Sequence, residues 1–284
     1  MTIQKKQVLL FSGSLLIHAI VCILAGALNW FNQFMIVPIA GAITISIVYS
    51  QWTKRWYWLV LAIIPFYLVY VAPDIIFGAP QTYPIWIIGL LCCTLTILLL
   101  RIQYRSVSVV GIVAVIAILG RFFFMPSYFA FLDTEKNPEK YRLENVSIKD
   151  SVNKNVSFNE QRGKIILVDI WNSACGICIE KFPELQKLYD KYKADSNIRV
   201  FALDIPVDRP GDRELVQKQA APYSFPKLFF TDRNEADKLY INGVPLVLIF
   251  DRNMKCRYAG GLNTGMNIFI GNAETIIENL KQEP

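Results

Sequence analysis

The chain begins with long runs of hydrophobic positions and continues into a region where short apolar runs alternate with polar stretches. Apolar runs of about 20 residues are typical of helices that cross a lipid bilayer. Five segments reach or approach that length, and they cover residues 7–28, 34–50, 57–76, 83–100 and 107–124. The pattern predicts a helical membrane domain of about five spans over residues 1–125.

The basic residues of this region indicate its orientation in the membrane. Residues 1–125 contain seven basic residues and one acidic residue, which accounts for the whole net charge of +6. Cations favour cytoplasmic loops. They precede the first segment and separate the second from the third and the fourth from the fifth, at Lys5, Lys6, Lys54, Arg55, Arg101 and Arg105. We therefore expect a cytoplasmic N-terminus, and five spans would place everything after residue 124 outside.

The first apolar segment has a second interpretation as a cleaved signal peptide. Lys5 and Lys6, the apolar run and the small residues 25–27 match the three regions of such a peptide. Its apolar run is longer than usual for a signal peptide, which favours an uncleaved anchor. Either interpretation leaves the C-terminal region outside the cytoplasm.

The polar region after the last apolar segment predicts a separate soluble domain. Residues 126–140 have the composition of a linker, and about 145 residues follow, enough for one hydrophobic core. Strands are expected at 164–170, 198–204, 227–230, 246–250 and 255–259, with helices near 179–193, 213–220, 235–240 and 273–280. This alternation predicts an α/β domain with a central mixed sheet over residues 141–284.

Two cysteines stand where the strand at 164–170 turns into the first of these helices. Cys175 and Cys178 are separated by Gly176 and Ile177, close enough for a disulfide. The unpaired amides of a helix N-terminus favour a thiolate at the first cysteine. A redox couple is therefore the leading interpretation.

Other uses of two nearby cysteines fit the sequence less well. A structural zinc site needs four ligands, and no second cysteine or histidine pair follows. Haem attachment needs a histidine directly after Cys178, where Ile179 stands. We expect no metal or other cofactor, and no nucleic-acid binding, because no basic stripe accompanies the soluble domain.

Four ordered motifs give the C-terminal region a resemblance to a known family. They are the run 163–171, the segment from Cys175 to Cys178, the segment 182–185 and the tripeptide Gly243-Val244-Pro245. Residues 141–284 resemble the thioredoxin fold, and within it the TlpA/ResA-type membrane-anchored thiol:disulfide oxidoreductases.

The resemblance implies roles for the matching residues. Cys175 would attack a substrate disulfide and Cys178 would resolve the mixed disulfide. Pro245 would be a cis-proline, which leaves the Val244 backbone free to pair with substrate. Asp169 would be a buried acid of raised pKa that exchanges a proton with Cys178, although a hydrogen-bonded strand-end carboxylate is the alternative. Trp171 would cover the active-site face, unless it is a plain core residue, and Gly176 and Ile177 would adjoin the substrate.

Three positions depart from the family pattern close to the cysteines. Ala174 replaces the usual aromatic residue, Ile177 replaces the usual proline, and Lys181 stands where a glutamate is common. All three lie where they would affect redox potential, so the family potential does not transfer to this chain.

The five apolar segments are outside that resemblance, although their layout is similar to bacterial vitamin K epoxide reductase fusions. Cys22, Cys92 and Cys93 lie within the segments and could relay electrons to the outer pair, but packing is the simpler account of a buried cysteine. The vitamin K epoxide reductase fusions carry a Cys-x-x-Cys pair in a span. This chain lacks that spacing, because Cys92 and Cys93 are adjacent.

These observations predict a bacterial inner-membrane protein with a periplasmic thiol:disulfide oxidoreductase domain. Its partners would be periplasmic protein disulfides, the lipid bilayer and a possible membrane electron donor. The alternatives are a quinone-linked generator of disulfides that uses the membrane cysteines, and a non-enzymatic redox-sensing or binding module.

Overall fold

A computed structural model describes residues 3–26, 30–52, 54–78, 80–263, 265 and 267–283. The chain divides into two compact units, residues 1–129 and residues 130–284. Each unit has its own buried apolar clusters.

The first unit is helical. Its α-helices are α1 (Ile3–Gly26), α2 (Trp30–Gln51), α3 (Trp56–Phe66), α4 (Ala72–Phe77), α5 (Tyr83–Arg101), α6 (Ser106–Leu119) and α7 (Met125–Leu132), the last of which continues past residue 129. Short π-helical turns at Tyr67–Val71 and Gly120–Phe124 connect α3 to α4 and α6 to α7.

Three helical stretches among the described residues are long and apolar enough to cross a membrane. They are Asn32–Gln51, Tyr83–Arg101 and Ser106–Leu132, and they correspond to the second, fourth and fifth predicted spans. The third predicted span is interrupted near Pro65, where the missing backbone N–H precedes a π-helical turn. A count of five spans therefore stays a prediction.

Close helix contacts organise the interior of the first unit. A Cβ atom added to Gly41 would lie 2.7 Å from the Cys93 sulfur, so only glycine allows α2 and α5 to approach this closely. The Ser14 hydroxyl donates to the Ala62 carbonyl at 2.8 Å and joins α1 to α3. Large apolar side chains point outward along the same helices, as expected for a surface that faces lipid.

The second unit is built on one seven-stranded mixed sheet with the order β2-β1-β5-β4-β3-β6-β7. The strands are β1 (Ile148–Asp150), β2 (Asn155–Val156), β3 (Ile165–Trp171), β4 (Ile198–Asp204), β5 (Lys227–Phe230), β6 (Leu246–Phe250) and β7 (Cys256–Gly260). The helices are α8 (Gly176–Tyr192), α9 (Asp212–Ala220), α10 (Arg233–Asp237) and α11 (Ala273–Gln282). The predicted α/β class with a mixed sheet is confirmed.

The central strand β3 pairs in parallel with β4 and antiparallel with β6, and all seven of its residues are buried. Its alternate side chains enter two apolar layers. Leu167 and Trp171 pack with α8, α9 and α11, whereas Ile166 and Val168 pack with α10 and the segment 141–161. A strand covered on both faces is apolar at most positions, which explains the run from 165 to 168.

Candidate functional site

The two cysteines lie at the junction of β3 and α8 and form a disulfide, with their Cα atoms 5.3 Å apart. Cys175 is the N-cap of α8, and its sulfur accepts a hydrogen bond from the Cys178 backbone N–H at 3.2 Å. Cys178 is fully buried, whereas Cys175 is partly exposed. Solvent and a substrate can therefore approach only the first sulfur directly.

The turn that presents Cys175 is stabilised by its own polar groups. The Asn172 side chain accepts from the Ala174 backbone N–H at 3.0 Å, and the Asn172 carbonyl accepts from the Cys175 N–H at 3.1 Å. Asparagine commonly closes such turns by bonding the backbone two residues on. This turn reverses the chain from β3 into α8, and it places Cys175 beside the unpaired amides that favour a thiolate.

The Val244–Pro245 peptide bond is cis, at the start of β6. Ile170 pairs with Leu246, so Pro245 lies at the end of the sheet where β3 turns toward the cysteines. Gly176 and Ile177, expected next to substrate, are both exposed, and the Ile177 side chain is 63% accessible. The structure thus brings the disulfide and the Val244–Pro245 turn to the same end of the sheet, next to the end of β3 and the start of β6.

Asp169 is buried inside β3, opposite Ala202 of β4 and Val247 of β6. Only 1% of the residue is exposed, and neither carboxylate oxygen has a hydrogen-bond partner among the described residues. Burial raises the pKa of Asp169 to about 7. Cys178 packs in the apolar cluster of Leu167 and Trp171, the two β3 residues whose side chains lie on the same side of the strand as Asp169. The proton exchange implied by the resemblance stays a prediction.

Trp171, expected to cover the active-site face, lies instead in the core. It is 1% exposed, and its ring packs edge-to-face on Phe182 of α8 with ring centroids 4.7 Å apart. The reason is the alternation of β3, which turns residues 167, 169 and 171 toward α8. Trp171 therefore packs under α8, the helix that begins at the cysteines. It does not form part of the surface that substrate meets.

Lys181, one of the departures from the family pattern, forms an ion pair with Glu184 at 3.0 Å. Both side chains are about one-third exposed, and such pairs contribute little to stability. Its charge is therefore partly neutralised within α8 by a neighbour of the same helix.

Sequence reasoning missed a polar cluster behind the turn. Arg209 and Asp212, from the connection after β4 and the start of α9, both contact the Ser173 hydroxyl, and Asp204 lies buried at the end of β4. These residues are 31 or more positions from Ser173 in the chain, and no spacing motif joins them. A buried strand-end carboxylate such as Asp204, in an otherwise apolar run, is the one signal that reveals part of the cluster.

The cysteines of the first unit form no disulfide among the described residues. Cys92 and Cys93 are free and buried on adjacent positions of α5, while the side chain of Cys22 lies outside the described part of the structure. Cys93 packs against α2, and Cys92 packs with Ala42 and Val113. Packing accounts for both thiols, and their redox role stays a prediction.

Comparison with known proteins connects this geometry to a family. Residues 138–268 match the Redoxin family model. The chain is 30% identical over 84 residues to a probable phospholipid hydroperoxide glutathione peroxidase of Citrus sinensis, covering 28% of this chain and 50% of that protein. It is 28% identical over 74 residues to the thiol-disulfide oxidoreductase ResA of Bacillus anthracis, covering 26% and 42%. The chain thus spans half or less of the curated relatives it matches.

Among solved structures, the chain is similar to a putative thiol:disulfide interchange protein DsbE from Chlorobium tepidum. The identity is 22%, the TM-score is 0.38, and the match covers 52% of this chain and 95% of that one.

Proposed function

We propose that the protein is a membrane-anchored thiol:disulfide oxidoreductase, because its second unit, hereafter the redoxin domain, matches the Redoxin family model over residues 138–268 and is built on a seven-stranded mixed sheet. It reduces or exchanges protein disulfides through Cys175 and Cys178. The observation that carries the proposal is the unequal exposure of the two cysteines, of which Cys175 is partly exposed and Cys178 is fully buried.

That inequality assigns the order of the chemical steps. In the reduced protein, the Cys175 thiolate attacks one sulfur of a client disulfide, and the other client sulfur leaves as a thiolate. The Cys178 thiolate then attacks the Cys175 sulfur, closes the 175–178 disulfide and releases the second client thiolate. The client gains two electrons and the protein loses two, which a thiol reductant must restore before the next cycle.

Asp169 serves the second step. The Cys178 sulfur becomes a nucleophile only when its proton leaves, and bulk water does not reach it. A buried carboxyl with a pKa of about 7 can take that proton near neutral pH and return it when the pair is reduced.

The membrane placement rests on composition and helix length. Three described stretches are suited to crossing a bilayer, and the cation pattern favours a cytoplasmic N-terminus. With five spans, the redoxin domain lies in the periplasm of a bacterium with its anchor in the inner membrane. Clients are then periplasmic proteins, and the reductant is a membrane electron donor.

Activity is tested with the full chain in detergent, by following reduction of a small disulfide-bonded protein with a monothiol reductant. Cys175→Ser is expected to abolish turnover. Cys178→Ser is expected to accumulate a mixed disulfide with the client, visible on a non-reducing gel. Cys256→Ser is the matched control, because this cysteine is buried in β7 and should leave turnover unchanged. Equal turnover in Cys175→Ser and the unmodified protein would refute the proposal.

Location is tested separately in intact cells permeabilised only at the outer membrane. A membrane-impermeant maleimide is expected to label Cys175 in the Cys178→Ser variant without lysis. Labelling that requires lysis would place the site in the cytoplasm and refute the periplasmic assignment.

The quinone-linked alternative depends on the thiols of the first unit. A variant with Cys22, Cys92 and Cys93 all replaced by serine should lose oxidation of the 175–178 pair in cells if that alternative holds. An unchanged redox state of the pair would remove it.

A further inference from the structure

The turn before Cys175 is held from outside by the connection between β4 and α9. Ser173, only 5% exposed, donates its hydroxyl hydrogen to an Asp212 carboxylate oxygen. The Arg209 guanidinium donates to the same hydroxyl at 2.5 Å, and Gln219 of α9 donates to the Ser173 carbonyl at 3.1 Å. Both polar ends of Ser173 are therefore engaged by one neighbouring segment.

Asp212 is the centre of this cluster. Besides Ser173, its carboxylate accepts from Arg209 at 3.1 Å and from the Val207 backbone N–H at 2.9 Å. Asp212 opens α9 directly after Gly211, whose φ of +72° is a conformation that glycine adopts without strain. Three donors from three different residues fix the carboxylate, so the ion pair with Arg209 has a defined geometry and is only partly exposed.

Asp204 lies beside the ion pair. It ends β4 opposite Trp171, is 3% exposed, and one of its oxygens has no hydrogen-bond partner among the described residues. Burial, and secondly the charge of Asp212, raise the pKa of Asp204 to about 7, although Arg213 opposes this. Below that pH, the cluster presents one positive and one negative charge behind the turn.

We propose that Arg209 and Asp212 are positioning residues for Cys175, which hold Ser173 two residues before the nucleophile and set, through their opposite charges, how readily Cys175 forms a thiolate. The inference rests on the proposed function, in which Cys175 is the attacking sulfur. It adds two residues to the site that lie in a different part of the chain and do not touch the reacting atoms.

Other charges near the turn are few. The loop 241–246, which carries the cis-proline, and the described residues of 260–265 have none. The ionisable groups on the remaining neighbouring segments are Asp169, Glu180, Lys181, Asp204, Asp208, Arg209, Asp212, Arg213 and Glu214. Lys181 is paired with Glu184, and Arg213 lies over the Phe229 ring at 3.3 Å from its centroid. Within this set, Arg209 and Asp212 are the residues whose side chains form hydrogen bonds with the Ser173 hydroxyl in the turn.

The proposal predicts effects of opposite sign. Arg209→Gln removes a positive charge, which disfavours the Cys175 thiolate, whereas Asp212→Asn removes a negative charge, which favours it. Two residues extend at most about 7 Å, so the charges lie on the order of 10 Å from the Cys175 sulfur. At an effective dielectric between about 40 and 80, each change moves the titration of Cys175 by roughly 0.3 to 0.6 pH unit.

The test uses the reduced full chain in detergent with Cys178→Ser as background. The rate of Cys175 alkylation by iodoacetamide is measured against pH at low ionic strength, with the modified peptide quantified by mass spectrometry. Arg209→Gln should raise the pH midpoint and Asp212→Asn should lower it. Arg209→Lys keeps the charge and should retain the original midpoint, and Lys218→Gln, an exposed charge change on α9, is the matched control. Both shifts should shrink in about 0.5 M salt.

Buried Cys256 reports folding in the same samples, because it stays unmodified only while the sheet is intact. Should Asp212→Asn expose it, the comparison of Arg209→Gln with Arg209→Lys decides. Shifts of the pH midpoint in opposite directions for Arg209→Gln and Asp212→Asn support the proposal. If Asp212→Asn does not fold, a raised midpoint in Arg209→Gln and an unchanged one in Arg209→Lys support it. Shifts of the same sign, or none, would mean that the cluster only stiffens the turn, and would overturn it. The readout needs no turnover, so it is independent of whether the protein reduces disulfides.

Discussion

Replacement of the buried acid in β3 gives a direct test of its environment. Asp169→Asn keeps the size of the side chain and removes its ability to ionise. In the folded protein the pKa of Asp169 is about 7, against an ordinary value of 3.8. A difference of about three pH units corresponds to about 4 kcal/mol of unfolding free energy.

The sign follows from which state ionises first. Below pH 3.8 the carboxyl is protonated in both the folded and the unfolded chain, so it adds no pH dependence. Between 3.8 and about 7 only the unfolded chain ionises, and the free energy of unfolding falls as pH rises. Above about pH 7 the carboxyl is ionised in both the folded and the unfolded chain, so the free energy of unfolding falls no further. Asp169→Asn lacks this loss, so its stability relative to the unmodified protein should increase between pH 4.5 and pH 8.

The assay is urea unfolding of the redoxin domain in the oxidised full chain in detergent, followed by pulse proteolysis. The buried amide has its own pH-independent cost of about 1–3 kcal/mol, so only the change between the two pH values is interpreted. Asp237→Asn, an exposed acid of α10, is the control and should show no such change. If Asp169→Asn gains nothing between pH 4.5 and pH 8, Asp169 does not have a raised pKa and cannot serve as the proton acceptor described above.

Three further predictions concern the core, a helix cap and a buried thiol of the second unit. Phe182→Ala removes a fully buried ring that contacts Trp171, and should lower the free energy of unfolding by about 3–5 kcal/mol in the same assay. A smaller loss would contradict this and indicate that neighbouring side chains move into the cavity. Asn272→Ala removes the cap that accepts from the Thr275 N–H at 2.7 Å, and should cost about 1 kcal/mol; no change in urea midpoint would contradict it. Cys256, whose pKa burial raises to about 12, should react with iodoacetamide far more slowly at pH 8 than reduced Cys175, and comparable rates by mass spectrometry would contradict its burial.

The central part of the fold could be predicted from the sequence because its signals are local. The apolar run before the cysteines became β3 within one residue of the expected bounds, since a strand covered on both faces is apolar at most positions and gives a strong local signal. Helix α8 begins at Gly176, three residues earlier than its apolar spacing indicates, because Cys175 caps it and the first turn carries no core residue except Cys178. The short hairpin of β1 and β2 has too few residues for an alternating pattern.

The site was predictable only in part, for a related reason. Cys175, Cys178 and Pro245 belong to short motifs, whereas Arg209 and Asp212 reach Ser173 through tertiary structure that no spacing encodes. Trp171 illustrates a third case. The resemblance implies that it covers the active-site face, with a core residue as the alternative, and the side of the strand on which it falls turns it into the core.

The segment that enters the redoxin domain also shields its outermost strand. The Glu135 backbone N–H donates to the Ala259 carbonyl of β7 at 2.8 Å, and Glu139 pairs with Lys255 at 2.9 Å. An uncovered outer strand is a template on which a second molecule can add its own strand. A fragment that begins at residue 141 would thus expose the backbone of β7 as an unpaired edge and tend to self-associate. A fragment that begins at residue 130 would keep the segment that covers β7.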